Sequence, residues 1–269
     1  MIRLLQAPVV RNQRLGPDHF LLVVRAQEIA LRVLPGQFVM AAPTTGSLPH
    51  PLLKRALAVY SVSQENGQPN LLHLLVKIVG EGTRALASLT CQERVDLIGP
   101  LGNGFDLPKA QGKIHLVIAG GVGIASVYLL VKTLHEVGEE VRLIYGGRSA
   151  VDLVGLEDFQ KLDIPLVLTT EDGSLGLKGL VTEGLRKAMK TVPGAKLSLF
   201  VCGPHAMMQA IAEMALDAGP PCQAALEAHM ACGFGVCLGC SVQTVDGYRL
   251  VCRDGPVFPA HELAWEEND

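Results

Sequence analysis

Four of the seven cysteines lie within 21 residues, at Cys232, Cys237, Cys240 and Cys252. Their spacing is C-x4-C-x2-C with a fourth cysteine twelve positions on, and the first part of that pattern is the plant-type spacing for a [2Fe–2S] cluster. A chain that wraps such a cluster must offer backbone N–H groups to sulfur and tolerate close approach, and Gly233, Gly235 and Gly239 make that possible. Cys252 would close the coordination from a hairpin over Ser241–Val251 that turns at Asp246-Gly247. Structural zinc is the competing reading. Zinc ribbons, however, are built on paired C-x2-C-type knuckles, which one C-x4-C glycine loop does not supply. Cys91, Cys202 and Cys222 stand apart and are expected to be small apolar residues of the core.

A second set of residues suits a nucleotide. Val117-Ile-Ala-Gly120-Gly121-Val-Gly123 follows a buried apolar run and opens a helical pattern. Glycines there let backbone approach a pyrophosphate, whose charge the helix N-terminus favours. Alone the motif is weak, because a plain strand–helix turn reads the same way. Cys202-Gly203-Pro204 ends a later strand and precedes another helix, and strand ends on one side of a parallel sheet converge where ligands bind. Gly146-Gly147-Arg148-Ser149 would sit near an adenine ribose. Arg148 could touch a 2′-phosphate or be a solvated loop charge, and both readings stay open.

A third set lies in the first hundred residues. Arg55-Ala56-Leu57-Ala58 belongs to a strand, and Leu75-Val76-Lys77 ends another ahead of Gly80, Gly82 and Thr83 at a helix start. An arginine, two glycines and a threonine at a helix N-terminus could hold a diphosphate, though any β-domain contains such residues.

The elements that must position these groups fall into three blocks. Leu4 to about Phe105 reads as short strands (20–25, a turn at Pro35-Gly36, 56–62 and 71–79) with one helix over Thr83–Leu89, the pattern of a small antiparallel barrel. After Pro108 the text alternates: strands over 113–119, 140–145, 164–169 and 196–202, helices over 126–137, 156–161, 180–190 and 205–218. Such βα alternation predicts a parallel sheet covered on both faces. From Gln223 the chain is short-phrased and rich in glycine and cysteine. The expected domains are therefore 1–107, 108–222 and 223–269: a β-barrel, an α/β nucleotide domain and a small C-terminal cluster module.

Composition narrows the classes. At 269 residues with 49% apolar and 18% charged residues, a sizeable core is available. The formal net charge is −3 and no basic run stands out, so nucleic-acid binding has no electrostatic support. The longest apolar runs are too short to span a bilayer, and the N-terminus lacks a secretory h-region. An odd cysteine count in a chain of this size argues for a reducing, cytoplasmic setting.

Taken together, these residues resemble the electron-transfer subunit of dihydroorotate dehydrogenase B, within the ferredoxin reductase superfamily. The likeness covers almost the whole chain. Arg55–Ala58 fall where the family has its Arg-Pro-x-Ser flavin motif, and Leu75–Lys77 with Gly82-Thr83 match its second flavin segment. Pro100-Leu-Gly-Asn-Gly-Phe105 is similar to the link between its barrel and nucleotide domain. Gly120–Gly123, Thr170–Ser174 and Cys202–Pro204 match its nucleotide signatures, and Met230–Phe258 matches its cluster-binding end. Ala56 and Ala58 replace the usual proline and serine, removing a hydroxyl that would contact the flavin. Ala125-Ser126 stand where prolines are frequent.

The resemblance implies FAD in the barrel, NAD(H) over the glycine turn, a [2Fe–2S] cluster on the four cysteines, and no catalytic acid, base or nucleophile for hydride transfer. It further implies an FMN-containing dihydroorotate dehydrogenase catalytic subunit as partner, in a heterotetramer of two plus two chains, with neither nucleic acid nor membrane involved. The nearest rival is the flavin subunit of another NAD(P)H reductase, such as the small subunit of NADH-dependent ferredoxin:NADP⁺ oxidoreductase, or a sulfhydrogenase or sulfide dehydrogenase. In the first of these the leading cluster ligand is typically aspartate, where this chain has Cys232. A rival from a different class is a zinc-stabilised scaffold without enzymatic activity.

Overall fold

The computed structural model describes residues 1–44, 52–107, 112–191 and 196–265. The expected domain switch at Pro108 and the last four residues of the C-terminal module lie outside them.

The first block is antiparallel β, as its alternation predicts. Its strands are β1 (Arg3–Arg14), β2 (His19–Arg25), β3 (Phe38–Pro43), β4 (Arg55–Ala58), β5 (Ser61–Glu65), β6 (Gln68–Lys77) and β7 (Arg94–Leu101). They join in the order β4-β3-β7-β1-β2-β6-β5. The two edge strands are consecutive in the chain. Val59 N–H still donates to Gln37 O on the β3 side (3.1 Å), whereas Tyr60 N–H donates to His73 O on β6 (3.0 Å). The single strand expected over 56–62 is thus bent at Val59-Tyr60, and the bend carries the chain from one sheet edge to the other. Phe20, Leu22, Val39, Leu72, Leu74 and Leu97 fill its interior. Helix α1 is one turn (Gln27–Ala30), and α2 (Glu81–Ala87) covers the barrel near β2 and β3.

The second block is α/β. Strands β8 (Ile114–Gly120), β9 (Glu140–Gly147), β10 (Leu166–Thr170), β11 (Leu177–Lys178) and β12 (Leu197–Cys202) alternate with α3 (Ile124–Glu136), α4 (Leu156–Gln160), α5 (Val181–Lys190) and α6 (His205–Ala218). The sheet runs β11-β10-β9-β8-β12 and then takes two further strands, β13 (Cys222–Ala225) and β16 (Val257–Pro259). Pairing is parallel except for β16, which runs antiparallel to β13. Both added strands come almost wholly from the stretch read as the C-terminal module. They are three and four residues long, too short for alternation to reveal. They find partners because β12 would otherwise present an open edge.

The remaining module is a cysteine loop followed by a hairpin of β14 (Ser241–Thr244) and β15 (Gly247–Leu250). Its core is not separate. Val242, Leu250, Cys240 and Cys252 pack with Phe38, Met40 and Leu101 of the barrel and with Leu199, Met208 and Ile211 of the α/β unit. A second shared core joins Leu21, Tyr60 and Leu75 of the barrel to Val127, Leu130 and Phe159. Among the described residues no helix is long and apolar enough to cross a membrane.

Candidate functional site

The hairpin brings two cysteines to its open end. Ser241 faces Leu250 in the ladder and Val251 N–H donates to Cys240 O (3.0 Å), so Cys240 and Cys252 leave the hairpin side by side. The loop ahead of it is shaped by left-handed residues: Gly233 (φ 82), Gly235 (φ 89) and Leu238 (φ 60). Glycine adopts that region at little cost, and the resulting curl points amides inward. Gly235 N–H donates to Cys252 Sγ at 3.1 Å. The thiols interact in two pairs, Cys232 with Cys237 and Cys240 with Cys252, and Cys252 also feels the charge of Cys232.

Electrostatics differ within the set. Against a desolvation penalty, N–H groups of Cys237, Phe234 and Val236 lower the Cys232 thiol to about 6. Burial, then Cys240, raises Cys252 to about 12. Cys237 is exposed and Cys240 buried. Among the described residues no three such side chains already converge tightly enough to grip a lone ion. Two thiol pairs, with loop N–H groups donating to Cys232 and to Cys252, fit a two-iron cluster, in which each iron takes two protein sulfurs.

Around the barrel, Arg55 lies directly against Gly82. A Cβ at Gly82 would collide with the guanidinium, whose Nη1 donates to Leu53 O. The Thr83 hydroxyl caps α2, accepting from Val79 N–H (2.9 Å) and Gly80 N–H (3.2 Å). Thr83 therefore acts on the turn rather than as a free ligand hydroxyl, a role invisible to motif matching. Met40 faces Ala56 across the β3–β4 ladder. Ala56 packs on the core shared with the cysteine module, whereas Leu57 turns into the barrel. Leu75 and Val76 are buried on β6, and Lys77 reaches Asp18 at 3.5 Å. The arginine–glycine contact places the guanidinium at the start of α2, a group that pairs well with a diphosphate.

The nucleotide signatures meet at the sheet's reversal of strand order, where β8 and β12 are neighbours and Cys202 pairs with Ala119. Such a switch point is the expected ligand crevice. Most of the glycines are required by packing between the two turns. A Cβ on Gly123 would lie 2.5 Å from Cys202 O, one on Gly203 2.5 Å from Met207 Cε, and one on Gly120 2.9 Å from Pro204 Cδ. Gly121 is different: its φ is +52 and nothing occupies the space beside it. It is the open position of the turn.

Behind Gly203-Pro204 opens a cavity of about 480 Å³ lined also by His205, Glu227, Tyr248 and Trp265. Glu227 reaches water through it yet is surrounded by protein, and that burial raises its carboxyl. Cys202 is fully buried. Burial first, then the Glu227 charge, pushes its thiol up to about 12, opposed by a hydrogen bond with Ser126. Sequence reading passed over Glu227; only its place just after β13, itself too short to predict, would have revealed it. Gly146 and Gly147 end β9 against Val181 and Asp152.

Barrel, parallel sheet with a switch-point crevice and thiol loop together define an NAD-linked flavin and iron–sulfur oxidoreductase of the ferredoxin reductase type. Three family models match in series: oxidoreductase FAD-binding domain over residues 6–106, oxidoreductase NAD-binding domain over 117–213, and iron-sulfur cluster binding domain of dihydroorotate dehydrogenase B over 227–264. The dihydroorotate dehydrogenase B (NAD(+)) electron transfer subunit of Desulforamulus reducens is 34% identical over 99% of this chain and 100% of its own length. A protein of Aquifex aeolicus named a homolog of that subunit is 36% identical over 98% of this chain and 99% of its own. The chain belongs to the family of dihydroorotate dehydrogenase B electron transfer subunits. Among solved structures, one of NADH-dependent reduced ferredoxin-NADP oxidoreductase superposes with a TM-score of 0.84 at 28% identity, covering 97% of this chain and 91% of that one.

Proposed function

We propose that this chain carries electrons between NAD(H) and a catalytic dihydroorotate dehydrogenase subunit, through FAD and a [2Fe–2S] cluster, in pyrimidine biosynthesis. The observation that carries the reading is that one shared core joins the flavin-motif strand, the switch-point crevice and the four-cysteine loop. Bound FAD and cluster supply the exchange of a two-electron hydride for single electrons.

The chain's own residues hold and orient. Arg55 beside Gly82 receives a diphosphate at the start of α2, while Ala56, Leu57, Ala58, Leu75, Val76, Lys77 and Thr83 shape the wall around it. Gly120, Gly121 and Gly123 let the dinucleotide lie across the end of β8, and Cys202, Gly203 and Pro204 form the far side of its nicotinamide seat. The Cys202 thiol, raised to about 12, stays neutral there at physiological pH. Cys232 with Cys237 serves one iron, and Cys240 with Cys252 the other. The domains run 1–107, 108–222 and 223–269 in function, with β13 and β16 from the last segment built into the nucleotide sheet.

The partner, an FMN-containing catalytic chain in a two-plus-two heterotetramer in the cytoplasm, meets the cluster face. Phe234, Val236 and Leu238 stand exposed there beside Cys237, an apolar collar of the kind a partner covers. The experiment is reconstitution with the dihydroorotate dehydrogenase catalytic chain of the same organism. Dihydroorotate-dependent NAD⁺ reduction by the mixture, absent from either chain alone, is the expected result. A complex that never forms, with NADH-driven reduction of ferredoxin instead, would replace this reading with that of a different reductase.

A further inference from the structure

The cysteine loop is attached to the barrel at two points, one on each arm of the thiol set. On the first arm, Gly233 follows Cys232 and rests on Met40. A Cβ there would strike the Met40 side chain, lying 2.8 Å from its Sδ and 3.3 Å from Leu101 Cδ1. On the second arm, Asn103 holds the backbone that follows Cys252. Its Nδ2 donates to Arg253 O (3.1 Å) and Asp254 O (3.0 Å), and its N–H donates to Gly255 O (2.6 Å). Gly102 beside it admits Pro256, whose Cδ would be 2.5 Å from a Cβ at that position.

Both anchors belong to the barrel wall that carries the flavin motif. Met40 is fully buried on β3 and sits opposite Ala56 of β4 in the ladder. Asn103 lies two residues past the end of β7, which pairs with β3. One rigid unit therefore runs from the Arg55–Ala58 strand through Met40 to Gly233, and from β7 through Asn103 to the residues behind Cys252.

We infer that Met40 and Asn103 are positioning residues that set the placement of the two cysteine arms relative to the flavin strand, and thereby govern the flavin-to-cluster electron step. The inference rests on the cofactor sites proposed above. Neither residue touches a reacting atom. Each acts through the backbone next to a cysteine, and electron tunnelling between two centres falls steeply with the distance between them, so a shift of either cysteine arm is read directly in the rate of that step. On the proposed cofactor sites, hydride transfer from NADH to the flavin takes place at the β8–β12 crevice, where neither anchor stands against a glycine of the nucleotide turns.

The test uses the full chain with its cofactors in five forms: parent, Met40→Ala, Met40→Leu, Asn103→Ala, and Leu22→Ala as an equally buried barrel control remote from the cysteine loop. Each is mixed anaerobically with NADH in a stopped-flow spectrometer, and the reduced cluster is recorded by electron paramagnetic resonance. For Met40→Ala and Asn103→Ala the expected result is a flavin-bleaching phase close to the parent's, a cluster phase slowed several-fold, and altered g-values. Met40→Leu, which restores volume, should recover the parent signature, and Leu22→Ala should keep it. Loss of iron with flavin retained in either alanine variant would also support the inference. Fully loaded variants whose cluster phase and g-values match the parent would overturn it. So would equal damage in Leu22→Ala, or joint loss of flavin and iron, which would mark a purely structural role. A parent protein that shows no bleaching of either chromophore would instead bring down the cofactor reading itself.

Discussion

Cys237 is the exposed member of the cluster set, so its replacement removes a ligand without opening a cavity in the core. Cys237→Ala is expected to yield protein with flavin near one per chain and iron lost, read by metal analysis and visible absorbance. Retained iron at parent levels would remove Cys237 from the ligand set. His73 governs a different property. Burial, aided by Arg11, lowers its imidazole to about 4, and its ring lies 2.8 Å from Ser63 Oγ. The unfolded chain, at 6.5 for this group, binds the extra proton first as pH falls. The contribution is thus complete above pH 6.5 and is lost between 6.5 and 4, in full about 3 kcal/mol. His19, also lowered chiefly by burial, acts in the same sense. Urea midpoints should therefore fall from pH 7 to pH 5, and His73→Gln should flatten much of that fall. An unchanged slope in the variant would assign the acid sensitivity elsewhere.

The turns that end β8 and β12 are where element geometry decides binding. Gly123→Ala places a Cβ 2.5 Å from Cys202 O and 2.8 Å from Gly203 N, both backbone atoms that cannot swing aside. The two turns must then part, and NAD⁺ affinity measured by calorimetry is expected to weaken about tenfold or more while flavin content holds. Gly121→Ala meets no neighbour but must hold φ +52, a strain of about 1 kcal/mol, so its effect should be smaller. The glycine motif was legible in the sequence; its division of labour was not, because a motif records spacing and not which Cβ positions are occupied by a facing turn. The same limit applies at Thr83, whose hydroxyl caps α2. Element boundaries were clearest where one period ran long, as in α6, predicted and found over His205–Ala218. They were least clear in β13 and β16, whose pairing depends on an open edge supplied by distant chain.

At the scale of the molecule, the barrel and the α/β unit are joined by Tyr60. It stacks on Tyr128 with centroids 4.5 Å apart and donates to Asp158 Oδ2 at 2.9 Å. Tyr60→Phe keeps the stack and removes the donor to Asp158 Oδ2, while Lys161 still donates to Oδ1 at 2.9 Å, so a loss of about 1 kcal/mol in stability is expected by denaturant titration. A neutral result would show that water replaces the hydroxyl at no cost. The three-part architecture and its cofactors were legible because each part carries its own pattern: alternation, βα period and cysteine spacing. The way the parts share cores was not, since Met40 and Tyr60 belong to no motif, and the Pro100–Phe105 segment does not disclose that Asn103 holds the backbone behind Cys252. The central claim is that electrons pass from NADH through flavin to the cluster within this one chain. The most direct test is the anaerobic visible spectrum of the purified protein before and after NADH. The account predicts flavin bands over a broad iron–sulfur shoulder, both bleached by NADH. A featureless spectrum from protein carrying zinc on its cysteines would contradict it.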